Sequence, residues 1–157
     1  MTKKIIILTS TDIRHQCFRS FLSNQKGIKV LKSFSETGNP IFKKKNKTGV
    51  DNIHPLLKRH AFQRRQMEKD IFGLYIKSTI DKSNNLDCEN GFSSSEKFLK
   101  IAKKLNPDLI VVYGSSIIRG EILNIFKNKI INVNLGLSPY YRGSGTNYFP
   151  FVNNKPE

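Results

Sequence analysis

The sequence predicts an α/β fold in which an open, mostly parallel sheet carries helices on both faces. Three observations support this. The runs "KIIILTS" (4–10), "DLIVVYG" (108–114) and "KIINVN" (129–134) are almost continuously apolar, the pattern of strands covered on both sides. Between the strands lie segments with apolar residues at helical spacing, so strand and helix alternate along the chain. Finally, the strands run out into small, polar or glycine residues, the edge at which open parallel sheets gather ligands.

Taken in order, the first strand is 4–10. Its apolar core, Ile5 to Leu8, is shorter than a secretory signal requires and is followed by polar residues, so a buried strand is the better reading of the N-terminus. Thr11 or Asp12 caps a helix whose members Ile13, Cys17, Phe18, Phe21 and Leu22 recur at helical spacing until Gly27 stops it. "IKVLKSF" from Ile28 is a second strand. Residues 34–52 read as a polar loop with turn signals at Gly38-Asn39-Pro40 and at Gly49. A charged helix is expected from about Leu56 to Phe72, ending at Gly73, and then loop over 78–93. Ser93 and Glu96 stand at capping-box spacing before "KFLKIAKKL", whose Phe98, Leu99, Ile101, Ala102 and Leu105 form one stripe. Asn106-Pro107 closes that helix. The strand at 108–114, a short helix in "IIRGEILNIF", the strand at 129–134 and a final helix from about Thr146, with Pro150 near its start, complete the chain.

A length of 157 residues fits one domain, 1–157, large enough to bury a core. The hydrophobic share of 38% and charged share of 25% are those of a folded chain in water, and no run is long enough to span a bilayer. Cys17 and Cys88 lie far apart and outside any metal-ligand spacing, which favours reduced structural thiols, a cytoplasmic location and no metal site. The net charge of +15 and pI near 10.0 would attract phosphate-rich partners, most densely at Lys43-Lys44-Lys45-Asn46-Lys47. Lysine here accompanies many asparagines and isoleucines, as an AT-rich coding sequence imposes on any protein, so a solvated charge bias is preferred over a dedicated RNA surface.

Three strand ends should converge on one cleft: Thr9-Ser10-Thr11, Tyr113-Gly114-Ser115-Ser116 and Asn132-Val133-Asn134. Asn132 and Asn134, two apart on a strand, share a face. Their amides can polarise a carbonyl without changing charge, or can simply satisfy loop backbone, as strand-end asparagines often do. Arg14-His15 lie where a nucleotide or phosphate could sit, or on a solvated helix face. His60 shares a face with Arg64 and could reach an anion. "RGSGTN" (142–147) lacks the lysine of a phosphate loop.

The residues around this last strand resemble the catalytic domain of the formyltransferase family, whose pattern is Asn, any residue, His, a Ser-Leu-Leu-Pro-like turn and then Tyr-Arg-Gly. Asn132, Val133, Asn134, Leu135, Gly136-Leu137-Ser138-Pro139 and Tyr141-Arg142-Gly143 follow it in register, and "VVYGSSII" is similar to the family's folate-pocket segment. The resemblance implies a Rossmann-like sheet with its last strands beyond residue 157, and transfer of a formyl group from 10-formyltetrahydrofolate to a primary amine. It implies a catalytic role for Asn132 and Asn134, and folate contacts at Tyr113, Gly114, Gly136, Leu137, Ser138, Pro139, Arg142 and Gly143. The expected acceptor is a small-molecule amine, such as that of a nucleotide-linked sugar; a methionyl-tRNA acceptor is the alternative, and a folate-binding relative without turnover is another.

One departure stands out. Asn134 occupies the position of the family histidine, and the later family aspartate falls outside the chain. Imidazole can take a positive charge near neutral pH or pass a proton, and an amide can do neither. "DNIHPLL" (51–57) offers a histidine version of the motif, but it follows no apolar strand and runs into the charged helix, so the site is expected at Asn132.

Overall fold

The computed structural model describes residues 1–37, 55–141 and 149–155, with only the backbone of Leu57. Within them the order is β1 (Lys3–Ser10), α1 (Ile13–Ser23), β2 (Ile28–Thr37), α2 (Pro55–Ser78), β3 (Asn85–Glu89), a 3-10 turn (Phe92–Ser94), α3 (Glu96–Leu105), β4 (Leu109–Tyr113), α4 (Glu121–Ile125), β5 (Ile130–Asn132) and α5 (Phe149–Val152). The strands form one sheet in the order β3-β2-β1-β4-β5, and every pairing is parallel. This is the α/β architecture expected from the apolar runs.

Both faces of the sheet are covered, which is why β1 and β4 read as unbroken apolar sequence. On one face Ile6, Leu8, Phe34, Ile110 and Val112 pack with Phe98, Leu99 and Ala102 of α3 and Ile122 of α4. On the other, Ile5, Ile7 and Val111 meet Phe18 and Leu22 of α1. Phe98, fully buried, contributes on the order of 2–3 kcal/mol of apolar burial alone, and it stacks at 5.7 Å from Phe34 and 5.8 Å from Phe92. The β1–β2 register passes from Ile5↔Val30 to Ile6↔Lys32, leaving Leu31 as an extra residue. That bulge turns Phe34 to the α3 side; one residue of slip moves every later side chain to the opposite face.

Several boundaries differ from the sequence reading: β2 runs on to Thr37 in the segment expected to be loop, and β5 ends at Asn132 and not at Asn134. Helix α2 runs through Gly73 to Ser78: a glycine inside a helix costs about 1 kcal/mol, and the packing of half-buried Phe72, Tyr75 and Ile76 offsets it. Strand β3 lies inside the segment expected to be loop. It is polar ("NLDCE") because it is an edge strand, held by pairing with β2 and by Ser33 and Ser35 hydroxyls donating to Asn85 Oδ1 at 2.7 and 2.9 Å. The cap of α3 is Ser95, whose Oγ accepts from Phe98 N at 3.1 Å; Ser93 is buried elsewhere, so the Ser93–Glu96 capping box does not form. Pro150 lies in the first turn of α5, as expected, and the proposed start at Thr146 falls outside the described residues.

Helices α1 and α2 lie side by side in parallel. Arg14, in the first turn of α1, is ion-paired with Glu68 in the middle of α2, and Asn24 at the end of α1 donates to Ile80 O just past α2, at 2.9 Å. Residues 68–78 therefore run alongside 14–24, and the part of α2 before Glu68 continues beyond the start of α1.

Candidate active site at the carboxyl edge of the sheet

A fully parallel sheet puts the ends Ser10, Thr37, Glu89, Tyr113 and Asn132 on a single edge. Thr9 pairs with Tyr113 and Val112 with Asn132, so the three expected strand ends do meet. Thr9 itself faces inward. It is fully buried, and its hydroxyl lies 3.1 Å from Ser35 Oγ and accepts from Arg19 at 3.0 Å, a structural contact under α1.

Asn132 is the last residue of β5 and is exposed. Val133 N donates to Val112 O at 2.8 Å, carrying the ladder one residue further before the chain leaves the sheet. Asn134 is half-buried beyond the strand, and its Nδ2 donates to Tyr141 O at 3.3 Å. The two asparagines thus differ in situation: Asn132 offers its amide at the edge, whereas Asn134 closes the following loop. Inside that loop Tyr141 N donates to Leu137 O at 2.9 Å and the Ser138–Pro139 peptide is cis. Gly136 is half-buried, and Leu135, Leu137, Ser138, Pro139 and Tyr140 are exposed. Arg142, Gly143, the "RGSGTN" turn, the lysine run at 43–47 and Asn52-Ile53-His54 lie outside the described residues.

At the end of β4, Tyr113 sets its ring edge-on to His15 (centroids 4.6 Å apart) and to Phe18 (5.2 Å). Gly114 has φ +75°, and a Cβ there would lie 2.7 Å from His15 Cε1 and closer still to Nε2. The glycine is required because α1 presses an imidazole against the strand end. His15 is fully buried, neither ring nitrogen has a hydrogen-bond partner, and Asp12 Oδ2 stands 3.9 Å from Nδ1. Burial lowers its pKa to about 3; Arg14, Arg19 and Arg64 act in the same direction and Asp12 opposes them. Arg14 is held between Asp12, at 2.7 Å, and Glu68. Both sequence readings of Arg14-His15 are therefore replaced: the pair is neither a solvated face nor an open phosphate site. His60 is exposed, but Arg64 pairs with Glu68 at 3.7 Å.

One organising residue was not foreseen. Glu36, near the end of β2, is 4% exposed; it accepts hydrogen bonds from Ser93 N (2.8 Å), Ser116 N (2.6 Å) and Ser116 Oγ (3.0 Å). It joins the ends of β2, β3 and β4. The serine clusters at 93–95 and 115–116 were the available signal, but nothing local links them to a glutamate some sixty to eighty residues earlier. Among the described residues no group of three or more His, Cys, Asp or Glu could hold a metal, and no helix is long and apolar enough to cross a membrane. The two cysteines are free; burial raises both thiol pKa values, that of Cys88 to about 11 with help from Glu36 and Asp87. A surface cavity of about 350 Å³ lies away from this edge, between β2, β3 and the end of α3, bordered by Leu31, Leu86, Ile101 and Leu105.

No family model matches the chain. Among curated proteins it is similar to the methionyl-tRNA formyltransferase of Finegoldia magna, 41% identical over 66 residues covering 41% of this chain and 21% of the relative. The enzyme of the same name from a Sulfurihydrogenibium species is 47% identical over 53 residues (32% of this chain, 17% of the relative), and that of Caldicellulosiruptor saccharolyticus 48% over 52 residues (32% and 16%). The matched part thus spans about a fifth of the relatives' length. Among solved structures, the phosphoribosylglycinamide formyltransferase of Anaplasma phagocytophilum aligns over 98% of this chain and 59% of its own, with a TM-score of 0.59 at 11% identity. The corresponding enzyme of Brucella melitensis covers 98% and 68%, with a TM-score of 0.56 at 14% identity; these structures establish the fold.

The relatives correct one expectation. The sequence reading favoured a small-molecule amine, such as that of a nucleotide-linked sugar, over an RNA partner; each of the three relatives carries tRNA in its name. The glycine-rich turn had pointed to a sugar-linked amine, whereas the basic charge already favoured the tRNA alternative. Local sequence identity links part of the chain to methionyl-tRNA formyltransferases, and the overall fold is that of the phosphoribosylglycinamide formyltransferase structures.

Proposed function

We propose that the chain is part of an enzyme that transfers a formyl group from 10-formyltetrahydrofolate to the amine of methionyl-tRNA. The observation that carries this is the exposed Asn132 amide at the end of β5, followed at once by the apolar turn Leu135–Tyr140. The donor supplies an activated formyl carbon. The Leu137–Pro139 turn, with Tyr113 and Gly114 on the neighbouring strand end, holds it against the edge. Asn132 Nδ2 would donate to the formyl oxygen and stabilise the negative charge that grows there as the amine nitrogen bonds to the carbon, a charge that collapses back to a carbonyl as the carbon–nitrogen bond to the folate breaks. Such a donor contributes on the order of 3 kcal/mol, about a hundredfold in rate. The proton lost by the amine goes to the departing folate nitrogen through solvent, because an amide at Asn134 cannot carry it.

The test is transfer of labelled formyl to methionyl-tRNA by the full chain, together with titration of a folate analogue. Transfer is expected, and Asn132→Ala is expected to lower kcat/KM about a hundredfold with folate affinity retained. A second reading is favoured by the engagement of Asn134 with Tyr141 O: a relative that binds folate without turnover. Folate binding with no transfer would select it, and loss of both would remove the two readings together.

A further inference from the structure

The part of α2 before Glu68 is an arm. Arg14 contacts Glu68 and Asn24 contacts Ile80, so thirteen residues, Pro55 to Met67, extend past the first turn of α1, about 20 Å at 1.5 Å per residue. Helix α1 begins at the carboxyl edge of the sheet, so the arm projects from the edge that carries Asn132. Of its described side chains only Ala61 is better covered than exposed.

The arm is strongly basic and ordered in its basicity. From Pro55 to Lys69 the helix carries Lys58, Arg59, Arg64, Arg65 and Lys69 against Glu68 alone, and Glu68 is itself buried and paired with Arg14 and Arg64. At about 100° per residue, Lys58, Phe62, Arg65 and Lys69 fall within roughly 60° of one another on the helix surface. Phe62 is 63% exposed in the middle of that stripe. Cations spaced along one face with an exposed ring between them match a sugar–phosphate backbone and a base that can stack.

A lipid surface fits less well. The exposed apolar residues of α2, Leu56, Met67, Ile71 and Leu74, lie roughly opposite the basic stripe. A bilayer takes up a helix whose cations flank its apolar face, and here the two point in opposite directions. Charge complementarity thus favours RNA.

We propose that the arm and the turn at its base, Pro55 to Lys69, form an RNA-docking surface, with Lys58, Arg65 and Lys69 on phosphates and Phe62 against a base, beside the edge where the acceptor amine is formylated. The proposal rests on the reading that the acceptor is an RNA, and it places that RNA's backbone on a surface of this chain.

The test is filter binding of bulk tRNA to the full chain across a salt series. The triple change Lys58→Glu, Arg65→Glu, Lys69→Glu should weaken binding about a hundredfold near 0.1 M salt and flatten the salt slope by about two to three. Phe62→Ala should weaken binding about tenfold with the slope unchanged. A control triple on α3, Lys97→Glu, Lys100→Glu, Lys104→Glu, carries the same charge change and should leave most of the affinity. Equal losses in the two triples overturn the proposal, since net charge alone would then bind. So does a chain that binds anionic phosphatidylserine vesicles but not tRNA. Thermal melts of each variant separate lost binding from lost folding. If formyl transfer occurs and the α2 triple is silent, the arm fails and the activity stands; if transfer and folate binding are absent while the triple abolishes tRNA binding, the activity fails and the arm stands.

Discussion

Glu36 Oε2 accepts a 2.6 Å hydrogen bond from Ser116 N, eighty positions later in the chain, while Oε1 accepts from Ser93 N and Ser116 Oγ. A buried carboxylate thereby uses its acceptors to draw together the segments that follow β3 and β4. The loop after β5 is closed separately, by Asn134 and Tyr141.

Replacing Glu36 by Gln keeps the shape but turns one oxygen into an NH2 donor facing backbone N–H groups. The expected loss is about 1–3 kcal/mol of unfolding free energy, read from urea denaturation. Glu36→Asp, which shortens the reach and keeps the charge, should lose less. A Gln variant as stable as the parent would show that the knot contributes nothing net.

Gly114→Ala places a methyl against His15 at a φ that L residues rarely adopt. The combined strain and overlap should destabilise the fold by about 2 kcal/mol or more. Adding His15→Ala should recover the overlap part and leave the backbone part, so the double mutant should be more stable than the sum of the single changes predicts. Simple additivity in a denaturation cycle would argue that the two residues do not touch.

The pH dependence of stability should carry the mark of His15. In the unfolded chain it gains a proton near its ordinary value of 6.5, and in the fold not until about pH 3. Between those values the unfolded state holds more protons, so stability is full above about pH 6.5 and falls as pH drops toward 3, by on the order of 1 kcal/mol per unit. Subtracting the pH–stability curve of His15→Leu from that of the parent should isolate this slope; a flat difference across the window would refute the buried neutral imidazole.

If formyl transfer is slow for want of a titratable group, Asn134→His should raise kcat, on the order of tenfold or more. It should also introduce a limb near pH 6.5 in the pH–rate profile that the parent lacks. A faster variant with an unchanged profile would mean that the gain comes from reshaping the loop at Tyr141.

The sheet was legible because burial on both faces writes itself as apolar runs, and β1 and β4 show it. β3 was not, because an edge strand draws its order from pairing with β2 and its own sequence has little apolar content. Ser95 caps α3 although Ser93 has the capping-box spacing to Glu96, because Ser93 N is bound to Glu36 while Ser95 Oγ accepts from Phe98 N, contacts that the local pattern does not show. At the site, the Asn132 strand end and its turn were visible as motif. The isolation of His15 and the role of Glu36 were not, because each depends on contacts between elements that share no local signal.

The overhang of α2 carries a last consequence, about order. Thirteen residues alone would be marginally helical in water, since the first turn is costly to form. Here the helix is already nucleated by its packed half, from Glu68 onward, and the arm inherits its order from that end. The Arg14–Glu68 pair thus anchors the point at which the arm leaves α1.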